Sequence, residues 1–72
     1  MKFHERLRET RSDLDKTQAD IATALGIPQQ QYSRYECGQN EMPLRYLGVV
    51  CETLGVSADY LLGLPKGLEW PR

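Results

Sequence analysis

Apolar positions along this chain recur three and four residues apart and nowhere alternate over the length of a strand, so the pattern predicts helices only. Glycine and proline cut the pattern into five pieces. The first spans about Lys2 to Asp13, with Phe3, Leu7, Arg11 and Leu14 on one stripe in which Arg11 is the odd member. Thr17 opens the second as a cap, supported by Asp20 three residues on; Ile21, Ala22 and Leu25 point inward and Gly26 takes the left-handed turn that stops it. Ile27 plugs that turn, and Pro28 sets the start of a third helix running to about Cys37 and ending at Gly38.

A polar loop from Gln39 to Met42 follows, and Pro43 opens a fourth helix with Leu44, Leu47, Cys51 and Leu54 on its inner face. Gly55 ends it. Ser57 then caps a short fifth helix, "ADYLL", closed by Gly63, and "PKGLEWPR" follows as a tail. The expected architecture is a compact all-α, five-helix domain over residues 1–64 with a C-terminal tail over 65–72.

The third helix carries three consecutive glutamines, and a helical wheel at about 100° per residue separates its faces. Gln29, Gln30, Ser33, Arg34 and Cys37 share one polar arc, Tyr32 and Tyr35 fall on the opposite side as anchors, and Gln31 points away from the arc.

Size and charge narrow the functions this pattern can serve. A chain of 72 residues has room for one small core and not for a large catalytic pocket. No apolar run approaches the roughly 18 residues that a membrane span needs, and "MKFHERLRETRSD" has no continuous apolar segment of the kind a secretory leader carries, so a cytoplasmic protein is expected. A net charge of -1 gives no global attraction to nucleic acid, so any such binding must rest on a local surface. The cysteines, Cys37 and Cys51, are too few for a disulfide framework or a zinc site; Cys51 reads as a core residue. His4 has no partner cluster, no nucleophile and base pair is evident and no phosphate loop exists, so neither an enzyme, a metal, a cofactor nor a small-molecule substrate is expected. Lys2, Arg6 and Arg8 alternate with Glu5 and Glu9, which predicts a solvated, salt-bridged face.

The stretch "TQADIATALGIPQQQYSRYECG", Thr17 to Gly38, resembles the helix-turn-helix of the phage-repressor and Cro-like family, also called XRE. Gln18 opens the motif, Ala22 is the small residue where two helices approach, Gly26 makes the turn, Ile27 packs behind it, and "YE" followed by Gly38 closes the third helix. "TLGVSADYLLG" is similar to the family's usual ending, so the likeness covers roughly residues 3 to 63. Departures are Tyr32, where an aliphatic residue is usual, Pro28, where Ser or Thr is, and a loop, "CGQNEMPLR", without the customary basic residues.

The resemblance implies a lambda-repressor-like fold and binding of double-stranded operator DNA as a small transcriptional regulator of the repressor kind, with the third helix in the major groove. Gln29, Gln30 and Arg34 become the base-reading candidates, with Ser33 secondary, since a carboxamide matches adenine N6 and N7 and a guanidinium matches guanine O6 and N7. Thr17, Gln18, Gln39 and Asn40 become phosphate contacts, with Lys16 and Arg45 adding charge. Arg11 and Glu36 are expected to form a structural ion pair. A homodimer on a pseudo-palindrome is the economical assembly, with Tyr46, Val49, Leu62, Leu64 and Trp70 as candidates for its interface. The rival expectation, from a different class, is a protein-binding module such as an antitoxin, recognised by a co-encoded protein partner.

Overall fold

A computed structural model describes residues 2–64; the expected tail over 65–72, Trp70 included, lies outside the described residues. Five helices follow one another: α1 (Phe3–Asp13), α2 (Gln18–Leu25), α3 (Gln29–Cys37), α4 (Leu44–Leu54) and α5 (Ala58–Leu62). Among the described residues there is no strand.

The local chemistry of each start and stop explains these bounds. Lys2 is the N-cap of α1, and its backbone N–H donates to Glu5 Oε1 at 3.0 Å. Thr17 caps α2 reciprocally with Asp20: Asp20 N donates to Thr17 Oγ1 and Thr17 N to Asp20 Oδ2, each at 3.0 Å. Pro28 and Pro43 occupy the N-caps of α3 and α4 without a side-chain bond to the first turn, and Ser57 Oγ accepts from Tyr60 N at the start of α5. Gly26, at φ 71°, ends α2 in the left-handed region that an L side chain adopts at a cost, and Ile27 N then donates back to Ala22 O at 3.0 Å.

α2 packs on α3 and α4, α1 packs on α3 and α5, and α4 packs on α5. Between them lie Leu7, Ile21, Ala22, Tyr32, Tyr35, Val50, Leu54 and Leu61, all buried. Tyr32 meets Tyr35 edge-on with centroids 6.5 Å apart, and Tyr35 reaches Tyr46 at 6.3 Å, so the inner side of α3 is anchored by aromatic rings.

Four expectations are corrected. Leu14 is exposed because α1 gives out at Asp13 and Leu14 is already its C-cap; the buried position on α1 beside Leu7 is Thr10. Leu44 is 82 % exposed: the inner face of α4 centres on Val50 and Leu54, about 100° round the helix from Leu44. Tyr46, offered as an interface residue, is half-buried against Tyr35. The charged face of α1 is solvated without lateral ion pairs, since among the described residues the only side-chain ion pair joins Arg11 to Glu36.

Candidate nucleic-acid interface

The turn at Gly26 sets α2 and α3 against each other and leaves one side of α3 in solvent. On that side Gln29, Gln30, Arg34 and Cys37 are exposed and Ser33 is half-buried. Gln31, the third glutamine, turns back instead and donates through Nε2 to the Tyr35 hydroxyl at 2.9 Å. The surface that α3 offers is thus built of two carboxamides, which can donate and accept at once, and a guanidinium, which can donate in pairs.

What holds α3 in place is a polar cluster beneath it. Arg11 Nε donates to Glu36 Oε2 at 2.7 Å and Arg11 Nη2 to Glu36 Oε1 at 3.1 Å, a two-pronged pair between α1 and the end of α3. Arg11 Nη1 also donates to Lys16 O at 2.7 Å, so the same guanidinium fixes the segment that leads into α2. From α2, Gln18 Nε2 donates to Glu36 Oε1 at 3.0 Å. Glu36 is 1 % exposed. Burial alone would raise its carboxyl, but the Arg11 guanidinium, with the Tyr32 hydroxyl and the Gln18 amide, more than offsets this and holds it below the ordinary value. Arg11 is correspondingly raised, chiefly by its hydrogen bonds to Glu36. The cluster ties three helices at one carboxylate.

Around α3 the remaining candidate positions differ in what they have left to offer. Thr17 Oγ1 accepts from Asp20 N within the cap, yet its hydroxyl hydrogen stays available to a phosphate oxygen, and the amides of Gln18 and Ala19 lie in the first turn of α2, where helical partners are lacking. Gln18 itself is half-buried and engaged with Glu36, a role that sequence pattern alone does not assign to it. Gln39 and Asn40 are exposed, but both their backbone N–H groups donate to Arg34 O, at 3.0 and 3.3 Å, so only their side chains remain for a ligand. Lys16 and Arg45 are exposed, and the Arg45 guanidinium lies 4.7 Å over the Tyr46 ring. The arrangement therefore presents an amide-rich face with one guanidinium, flanked by few cations.

His4, expected to be a surface residue, is half-buried. Its ring sits where a Cβ on Gly38 would lie, 2.8 Å from Cε1, so a side chain at position 38 meets the imidazole as well as a φ of 79°. The pairing of a left-handed glycine with a ring from α1 is invisible to helical periodicity. Among the described residues no group of His, Cys, Asp and Glu is placed to hold a metal ion, and no helix is long and apolar enough to cross a membrane.

Residues 7–61 match a family model described as helix-turn-helix. The chain is 42% identical over 60 residues to a prophage-derived HTH-type transcriptional regulator of Bacillus subtilis, YonR, covering 83% of this chain and 56% of the relative. It is 36% identical over 63 residues to the phage CTXphi transcriptional repressor RstR of Vibrio cholerae, covering 88% of this chain and 56% of that one. A further Bacillus subtilis HTH-type transcriptional regulator, YqaE, is 38% identical over 60 residues, or 83% of this chain and 52% of the relative. The chain thus spans about half the length of the curated relatives it matches. With its second and third helices joined at Gly26 inside the matched segment, the chain belongs to the XRE-type helix-turn-helix family.

Proposed function

We propose that this protein binds double-stranded DNA in a sequence-dependent way as a transcriptional regulator of the repressor kind, acting in the cytoplasm by occupying an operator. The observation that carries the reading is the exposed arc of Gln29, Gln30 and Arg34 on a helix clamped from beneath by Arg11 and Glu36. A reading helix must be held rigidly if its side chains are to meet base edges, and here one buried carboxylate fixes it to two other helices. Family membership and the printed names of the relatives, regulators and a repressor rather than enzymes, support the same reading.

In this reading Gln29, Gln30 and Arg34 contact bases, Ser33 reaches one only at close approach, and Thr17, Gln18, Gln39 and Asn40 contact phosphates. Two copies bind a pseudo-palindrome, with half-sites about 34–36 Å apart.

The test is selection of bound sequences from a random double-stranded pool, with wild-type protein and with a Gln29→Ala, Gln30→Ala, Arg34→Ala triple variant. The wild type should enrich a palindromic motif that the still-folded variant does not. Removing a well-formed bidentate pair with a base should cost about 1–3 kcal/mol of discrimination. No enrichment by the wild type would overturn the reading in favour of a module that binds a protein partner.

A further inference from the structure

Gln31, the glutamine left out of the exposed arc, opens a chain of contacts whose far end is an exposed cation. Its Nε2 donates to the hydroxyl of the buried Tyr35 at 2.9 Å, and the Tyr35 ring lies 6.3 Å from that of Tyr46. The Arg45 guanidinium lies 4.7 Å over the Tyr46 ring, and its Nη2 donates to the Tyr46 hydroxyl at 3.4 Å. α3 and α4 are not a pair that packs broadly, and these rings bridge them. Among the described residues Arg45 forms no ion pair, so its charge is not spent inside the fold.

We infer that Tyr46 is a positioning residue for DNA-backbone contact: its ring, set by Tyr35 and Gln31 of the reading helix, holds the Arg45 guanidinium for a phosphate at one edge of that helix. The inference rests on the DNA-binding reading above. At about 100° per residue, Glu36 falls about 20° beyond Gln29 and Gln31 about 60° beyond Arg34, so the two mark opposite edges of the exposed arc. Glu36 receives Gln18 from the first turn of α2. The Gln31 edge carries Tyr35, Tyr46 and, through them, Arg45 from the first turn of α4. The major groove is about 12 Å wide and walled by a phosphate strand on each side, so a helix lying in it turns both edges toward phosphates. An unsupported arginine gives up much rotamer freedom when a phosphate fixes it, and the ring takes up part of that ordering before DNA arrives. The contact with Tyr46 uses one of the five N–H donors and leaves the others for phosphate oxygens.

Tyr46→Leu keeps an apolar side chain against Tyr35 and removes the ring beneath Arg45. Its affinity for DNA should fall about two- to fivefold, the range of one exposed cation–π contact. Because a phosphate contact carries no sequence information, the loss should be equal on the selected operator and on a random duplex of roughly 24 base pairs. Tyr46→Phe restores the ring and should recover most of the loss. Arg45→Gln should lower the logarithmic salt slope by about 1, and in that background Tyr46→Leu should change nothing. A loss caused only by weakened folding would persist there. In wild-type protein the Arg45 side-chain NMR signals should carry the upfield ring-current shift of a group over an aromatic face, and keep it when the random duplex is added.

A salt slope unmoved by Arg45→Gln, a Tyr46→Leu loss that is absent or that persists without Arg45, a Tyr46→Phe protein as weak as Tyr46→Leu, or a ring-current shift abolished by DNA would each overturn the assignment. A loss on the operator alone would overturn it too, making Tyr46 a base contact. Every arm is read on the random duplex, so absence of an enriched motif would remove base reading without touching these results. Wild-type protein that binds neither duplex would remove both.

Discussion

At the scale of single residues, Glu36 concentrates more consequence than any other. Burial raises its carboxyl, yet Arg11, the nearby Tyr32 hydroxyl and Gln18 outweigh that effect and leave it below the ordinary 4.5. A group whose folded-state pKa is depressed contributes stability that is fully present above its unfolded value and is lost as the pH falls through the folded one. Stability measured by urea unfolding should therefore decline on acidification below about pH 4.5. In Glu36→Gln that decline should be shallower, with the remainder coming from Glu5 and Asp20, which backbone hydrogen bonds from Lys2 and Thr17 also lower. Removing the cation instead leaves the carboxylate uncompensated: Arg11→Met should cost about 3–5 kcal/mol near neutral pH. A pH profile of Glu36→Gln parallel to wild type would show that the pair does not carry the acid sensitivity. The resemblance points to Arg11 and Glu36, and a lone arginine on an apolar stripe needs such a partner. Gln18's bond to the same carboxylate is not legible, since a polar residue in the first turn of a helix looks the same in sequence whether it faces solvent or a neighbour.

At the scale of the element, the ends of the helices are more legible than their faces. Thr17 with Asp20, the prolines at 28 and 43 and the glycines after α2 to α5 act within a few residues, so their effects are written locally. Which residues of α4 turn inward depends also on where α2 and α5 press against it: Leu47, Cys51 and Leu54 face the core as periodicity predicts, Val50 joins them, and Leu44, about 100° round from Val50 and Leu54, is left outside. The same geometry leaves Gly48 as a solvent-facing residue within α4, where an added Cβ would meet nothing within 4 Å. Gly48→Ala should stabilise the protein by about 0.5–1 kcal/mol through helix propensity alone, measured as a raised urea midpoint with unchanged m-value. Gly38→Ala makes the opposing control, because there both the backbone conformation and the His4 ring resist a side chain. Stabilisation at both sites would mean that space and backbone angle are not what distinguish these glycines.

For the molecule as a whole, the shortage of exposed cations among the described residues bears on how the proposed DNA binding would work. Among the described residues, Arg34 on the exposed arc of α3, with Lys16 and Arg45 as the exposed cations expected to add charge, brings about three charges per protomer to phosphates, and the logarithmic salt slope should lie near 3 per protomer. In the proposed operator reading, so small an electrostatic contribution leaves a single copy weakly bound, and a second copy would supply what charge does not. A candidate surface for the proposed second copy is a groove of about 470 Å³ between the start of α1, the end of α3 and the start of α4, where Phe3, Met42, Pro43, Leu44, Leu47 and Leu62 line it together with Lys2, His4, Gly38 and Glu41. Leu44 stands at its rim, 82 % exposed, and Leu62 is 48 % exposed. An apolar side chain held so far out of the core contributes little to folding, so Leu44→Asp should leave the urea midpoint within about 0.5 kcal/mol of wild type. On a duplex carrying two half-sites its affinity should drop about tenfold or more, while binding to a single half-site stays the same. Equal losses on both duplexes would place Leu44 in contact with DNA instead, and no loss on either would take the second copy elsewhere than this groove.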